Sequence, residues 1–192
     1  MTSQASSFYL WIDGVGGFLL LTDPRVWIGG LSQTGPHGIR LQADLPSRAA
    51  VFKRIAGTYT LRPADSPTWV DTHQLSQTAV LGNSHRVRCG QSTEFQFCKP
   101  HPLSGSARLT MYGRVRFSPA VDGALLLDDT LVIGPTAACH VHAPLADQSI
   151  VIARRNDQWL AKLLDADIHD SKRFDAGSHQ SLGGLNWTLE TR

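Results

Sequence analysis

The chain contains a second, worn copy of itself, and that constrains its fold more than any other feature. Ile12-Asp13-Gly14, Phe18-Leu19-Leu20-Leu21 and Val26-Trp27-Ile28-Gly29 return as Val121-Asp122-Gly123, Ala124-Leu125-Leu126-Leu127 and Leu131-Val132-Ile133-Gly134. Val51-Phe52-Lys53-Arg54-Ile55 with Tyr59 returns as Val151-Ile152-Ala153-Arg154-Arg155 with Trp159. The pattern Leu81-x-x-Ser84-His85 … Cys89-Gly90, followed by Phe95 and Phe97, returns as Phe174-x-x-Gly177-Ser178 … Leu182-Gly183, followed by Trp187 and Leu189. Three blocks in one order at a period of about 100 residues are too long for a solenoid unit and suit a duplicated small domain. The Pro-, Gly- and Ser-rich stretch Lys99 to Ser106 marks the expected boundary, giving domains 6–98 and 108–192 around a linker at 99–107.

Within each copy the pattern predicts strands. Short apolar runs such as Leu10-Trp11-Ile12 and Arg25 to Ile28 are cut by turns at Asp13-Gly14 and Asp23-Pro24. Polar and apolar residues alternate at Arg86-Val87-Arg88-Cys89, Glu94-Phe95-Gln96-Phe97 and Asn186-Trp187-Thr188-Leu189. No helical period persists. The expected fold class is all-β, two tandem antiparallel β-sandwich domains.

Composition removes several classes. With 42% hydrophobic and 18% charged residues in 192, the chain is globular rather than disordered. No apolar run approaches the ~20 residues of a membrane helix, so no membrane partner is expected. Residues 1–7 carry no Lys or Arg and no signal-length apolar stretch follows, so a cytoplasmic location is expected. The three cysteines, Cys89, Cys98 and Cys139, form no CxxC and read as reduced thiols. The net charge of +2 divides into +6 over residues 1–116 and −4 over 117–192, which favours docking of one half on the other.

The blocks of the first copy resemble the forkhead-associated (FHA) domain, over residues 8–98 and more weakly over 114–190. The "Ile-Gly-Arg" element is matched by Ile28-Gly29-Gly30, and the Ser-Arg element by Asp44-Leu45-Pro46-Ser47-Arg48-Ala49-Ala50. The "Val-Asn-Gly" turn falls at Val70-Asp71-Thr72, and the closing "Leu-x-x-Gly-Asp … Leu-Gly" at Leu81 to Gly90. The resemblance implies a β-sandwich that binds phosphothreonine peptides, with an Arg and a Ser on the phosphate and an Asn on the peptide backbone. This chain departs at those positions. Gly30 replaces the Arg, Asp71 replaces the Asn, and either Pro46 or Ser47 fills the Ser position. The second copy has Pro135 for the Arg and Asp147-Gln148-Ser149 for the Ser-Arg element. A dianionic phosphate needs convergent donors, bidentate Arg above all. The expected function is therefore a non-catalytic interaction or scaffold module for a protein or peptide partner. Its contact surface is expected at Gly30, Arg40, Ser47, Arg48, Asp71, Thr72, His73 and Gln74. The alternative is phosphothreonine binding by the first domain through Ser47 and Arg48.

Other chemistry is weaker. In a strand, His140 and His142 of Cys139-His140-Val141-His142 would share a face and could share a metal, which supplies an alternative of another class, a metal-dependent activity. No second cluster has ligand spacing, and no metal or other cofactor is expected. Asp165, Asp167 and Asp170 around His169 lack the Gly and closing Glu of a calcium loop. No nucleophile, zinc or phosphate-loop motif occurs, so catalysis is not expected. The basic residues Lys99, Arg108, Arg114 and Arg116 lack interleaved aromatics, which argues against nucleic acid. Trp69, beside the Asp71 turn, is either a contact residue or a packing residue.

Overall fold

The computed structural model describes residues 7–35 and 38–192. The chain is all-β, with twenty strands and one 3-10 turn among the described residues. The first half holds β1 (Ser7–Ile12), β2 (Gly16–Leu21), β3 (Arg25–Gly29), β4 (Gly38–Arg40), β5 (Ala50–Ile55) and β6 (Thr58–Pro63). It continues with β7 (Thr68–Val70), β8 (His73–Gln74), β9 (Ala79–Leu81), β10 (Ser84–Cys89) and β11 (Thr93–Cys98). The second half holds β12 (Ala107–Met111), β13 (Gly123–Leu126), β14 (Thr130–Gly134), β15 (Val141–His142), β16 (Ile150–Arg155) and β17 (Gln158–Leu163). The 3-10 turn Ile168–Asp170 follows, then β18 (Lys172–Phe174), β19 (His179–Leu182) and β20 (Leu185–Thr191). No helix among the described residues is long and apolar enough to cross a membrane.

The duplication is visible in the sheets. Each half forms one five-stranded sheet, in the orders β4-β3-β5-β6-β9 and β15-β14-β16-β17-β18. Registers repeat as well: Tyr59 pairs with Leu81 in the first sheet, and Trp159 with Phe174 in the second. Period-2 alternation sends Val26, Ile28 and Phe52 into one core, and Leu131, Ile133 and Ile152 into the other.

The third sheet belongs to both halves. Its order is β19-β20-β1-β2-β13-β12-β11-β10-β7-β8, so the two N-terminal hairpins have exchanged places. Hairpin β1–β2 joins β20 of the second half, while β12–β13 joins β11 of the first. The hairpins meet at the centre, where β2 and β13 pair in parallel, Leu19 with Ala124 and Leu21 with Leu126. These two strands are covered on both faces. Leu19, Leu21, Ala124 and Leu126 enter the first core; Phe18, Leu20, Leu125 and Leu127 enter the second. This double burial explains why Phe18 to Leu21 and Ala124 to Leu127 read as unbroken apolar runs rather than alternating strands.

The first core is aromatic. Phe52 lies 5.7 Å from Phe97 and 6.2 Å from Phe95, and Tyr59 lies 5.2 Å from Phe97. The buried Tyr59 hydroxyl donates to the Leu126 carbonyl at 3.0 Å, tying the first sheet to the second half's hairpin. Burial pushes the pKa of this phenol up to about 12. The opposite charges of the halves also meet: Arg54, 8% exposed, contacts Asp128 at 2.9 Å. The stretch between β11 and β12 is packed rather than loose. The hydroxyls of Ser104 and Ser106 both donate to the Thr130 carbonyl (2.7 and 2.6 Å), and the Lys99 ammonium donates to Gly57 O at 2.9 Å.

Candidate functional site

The loops at one end of the first half gather Gly30, Ser47 and Arg48. The loop between β4 and β5 folds down on the end of β3: the Gly30 amide donates to Pro46 O at 3.1 Å. A Cβ added at Gly30 would overlap the Leu45 carbonyl oxygen, and one at Gly29 would overlap that of Ser47. The chain has no room for a side chain where the FHA pattern places its Arg. Ser47 is half-buried in this loop, and Arg48 is exposed. The Arg48 guanidinium stands 5.2 Å from the centre of the Trp27 ring, which also takes Arg25 at 5.2 Å.

Asp71 to Gln74 stand elsewhere. The segment beside Arg48 is 64–67, where the Asp65 amide donates to Arg48 O and the Ala64 amide to Ala49 O, both at 3.0 Å. Asp71 follows the far end of β7, about 10 Å along the strand from Thr68. Its left-handed backbone (φ 54°) turns the chain into β8. Its carboxylate accepts from His85 Nδ1 at 2.8 Å and from the Arg86 amide at 3.0 Å, while His85 Nε2 accepts from the Gly82 amide at 2.9 Å. The hydrogen bond from His85, then that from Arg86, holds the Asp71 pKa below its ordinary value. Asp71 thus pins the β7–β8 turn to β10. Thr72, His73 and Gln74 are exposed around that turn. Trp69 is half-buried there and stacks under Arg88 at 3.8 Å.

The two histidines do not share a face. His140 precedes β15 and is fully buried; its Nδ1 accepts from the Val132 amide at 3.0 Å, and its Nε2 donates to Ser106 O at 3.2 Å. His142 is exposed, with its Nε2 3.1 Å from Pro135 O. The expectation of an i, i+2 pair fails because the strand begins only at Val141, one residue too late to set His140 by alternation. Burial drives the His140 pKa down to about 4, so this ring is a neutral bracket between two backbone segments. No group of three or more potential metal ligands occurs among the described residues.

A second surface, not evident from residue order, adjoins Arg48. The outward positions of the first five-stranded sheet form an open hollow of about 500 Å³, lined by Arg25, Val51, Lys53, Ile55, Thr60, Arg62 and Thr78. Arg25 sits directly opposite Lys53, and Arg62 opposite Val51. Arg40 lies on the same face of β4, half-buried, its Nε out of solvent and without a partner. The alternating pattern of β5 and β6 carried the signal, Val51-x-Lys53-x-Ile55 and Thr60-x-Arg62, but their adjacency depends on register.

Comparison with protein-family models, with curated proteins and with solved structures finds no match.

Proposed function

We propose that this chain is a non-catalytic interaction module built from two FHA-like halves, holding a protein or peptide partner without requiring phosphate. The observation that carries the reading is the closure of the β4–β5 loop over Gly29 and Gly30. That loop fills the space a phosphate-clamping side chain would need, yet leaves Arg48 exposed on a rigid β frame. Exposed loop residues on such a frame are free to contact a partner. The carboxylate of Asp71 is already engaged by His85 and Arg86, so it works on the fold rather than on a ligand. The three cysteines are unpaired, which suits the reducing cytoplasm, where we place the protein.

The test is a degenerate peptide library probed in phosphothreonine and unmodified forms. Binding without preference for phosphate supports the module. Phosphate-selective binding that disappears in Arg48→Ala would instead support phosphothreonine recognition through Ser47 and Arg48.

A further inference from the structure

We infer that the outward face of the first five-stranded sheet is the docking surface for an acidic, extended segment of a partner protein. The inference rests on the module reading and names the chemistry of the partner.

Arg25 and Lys53 face each other directly across β3 and β5, and like charges in that position are destabilising. Arg62 stands one strand beyond Lys53 and two residues along, so its backbone is about 8 Å from that of Lys53 and about 12 Å from that of Arg25. Those spacings are at or beyond the screening length of about 8 Å at physiological salt, so the repulsion is felt most at low salt. No carboxylate among the described residues forms an ion pair with Arg25, Lys53 or Arg62. Elsewhere two arginines have carboxylate partners, exposed Arg86 with Glu94 and half-buried Arg154 with Asp157. Among the described residues the side chains of Arg25, Lys53 and Arg62 have no such ion pair, while the Asp23 carboxylate accepts from the Arg25 amide at 2.7 Å, and an anionic segment laid across the face would supply the missing partners.

The rest of the lining selects among anions. Ile55 is 62% exposed and Val80, on the edge strand β9, is 69% exposed. Val80 is in register with Thr60, which is itself opposite Lys53, so aliphatic groups sit beside the cations on one face. A strand-like peptide that carries acidic and aliphatic residues on one face, at i and i+2, satisfies both. A single-stranded nucleic acid would need a free aromatic face to stack its bases. The aromatic ring here, Trp27, already carries the guanidinium groups of Arg25 and Arg48.

The experiment uses the full chain and a short labelled peptide repeating Glu-Ser-Val-Ser, which puts Glu and Val on one face of a strand, followed by fluorescence anisotropy at low and at physiological salt. Arg25→Glu with Lys53→Glu should weaken binding at least tenfold, and Arg25→Gln with Lys53→Gln should weaken it several-fold. Arg114→Glu with Arg173→Glu removes the same charge from exposed positions elsewhere and should change it less than twofold. Circular dichroism checks that each variant remains folded. Equal losses in the two reversal variants would overturn the inference by showing attraction to net charge alone. Stronger binding of oligo(dT), lost with the same face residues, would assign the surface to nucleic acid. Peptide binding that survives the face variants but fails in Arg48→Ala would overturn this surface and leave the module reading standing.

Discussion

Separating the halves at their sequence boundary should destroy the fold rather than release two domains. A fragment of residues 7–98 lacks the second half's hairpin and, with it, Ala107, Leu109, Phe117, Ala124 and Leu126 from the first core. Burying a Leu or Phe side chain is worth about 1.5–3 kcal/mol, so Leu109, Phe117 and Leu126 alone contribute about 5–9 kcal/mol. That is comparable to the whole stability of a typical domain, about 5–15 kcal/mol. The fragment's own hairpin is a poor substitute. The strand beside β11 presents Ala107 and Leu109 to the core, with Met111 packed against it, whereas β1 would bring Phe8, Leu10 and Ile12. Larger side chains in a space shaped for smaller ones cost about 1–3 kcal/mol through overpacking. A fragment of residues 16–127 keeps every buried residue of the first core, and replacing Phe18 and Leu20 by Thr would limit the apolar surface it exposes. Thermal melts by circular dichroism and the dispersion of amide NMR signals would compare the two. The expected result is a cooperative transition for 16–127 and none for 7–98. A monomeric 7–98 fragment melting within a few degrees of the full chain would refute the reasoning, because its hairpin would then have closed on its own core.

Other outcomes follow from single residues. His140 is neutral in the fold, with its pKa lowered from 6.5 to about 4, so the unfolded chain binds the extra proton between those values. Its contribution, about 3 kcal/mol, is present above pH 6.5 and is lost as pH falls toward 4; His140→Gln should flatten that part of the acid stability profile in urea melts. Gly30→Ala should lower the melting temperature and loosen the β4–β5 loop, seen as faster amide exchange at Gly30, because its Cβ meets a backbone carbonyl. Unchanged exchange in that variant would show that the loop does not lie on Gly30 in solution.

Much of the local structure was legible in the residues because it depends on near neighbours. The alternation at Arg86 to Cys89 and Glu94 to Phe97 became β10 and β11, and Cys89 and Phe97 are buried in the first core. The Val51 to Tyr59 block and its copy at Val151 to Trp159 became equivalent strands in two sheets of one order, while the outer blocks also supply strands to the shared ten-stranded sheet. At the site, Gly30, Ser47 and Arg48 were drawn together by the loop their sequence suggested. Asp71 was misplaced because a turn motif gives a conformation and not the end of the sheet at which it will stand. His140 was misread because one residue of strand onset decides the facing of a side chain.

By itself, then, the sequence determined an all-β chain made of two related halves, since periodicity and repetition are properties of residue order. Tertiary structure alone decided which core each hairpin fills. The two hairpins match by repeat but differ in bulk, Phe8, Leu10 and Ile12 in one against Ala107, Leu109 and Met111 in the other, so the choice is a matter of volume between residues far apart in the chain. It also decided that Arg25, Lys53 and Arg62 should meet on one face, because strand register, which fixes that meeting, is set by packing on the opposite side of the sheet.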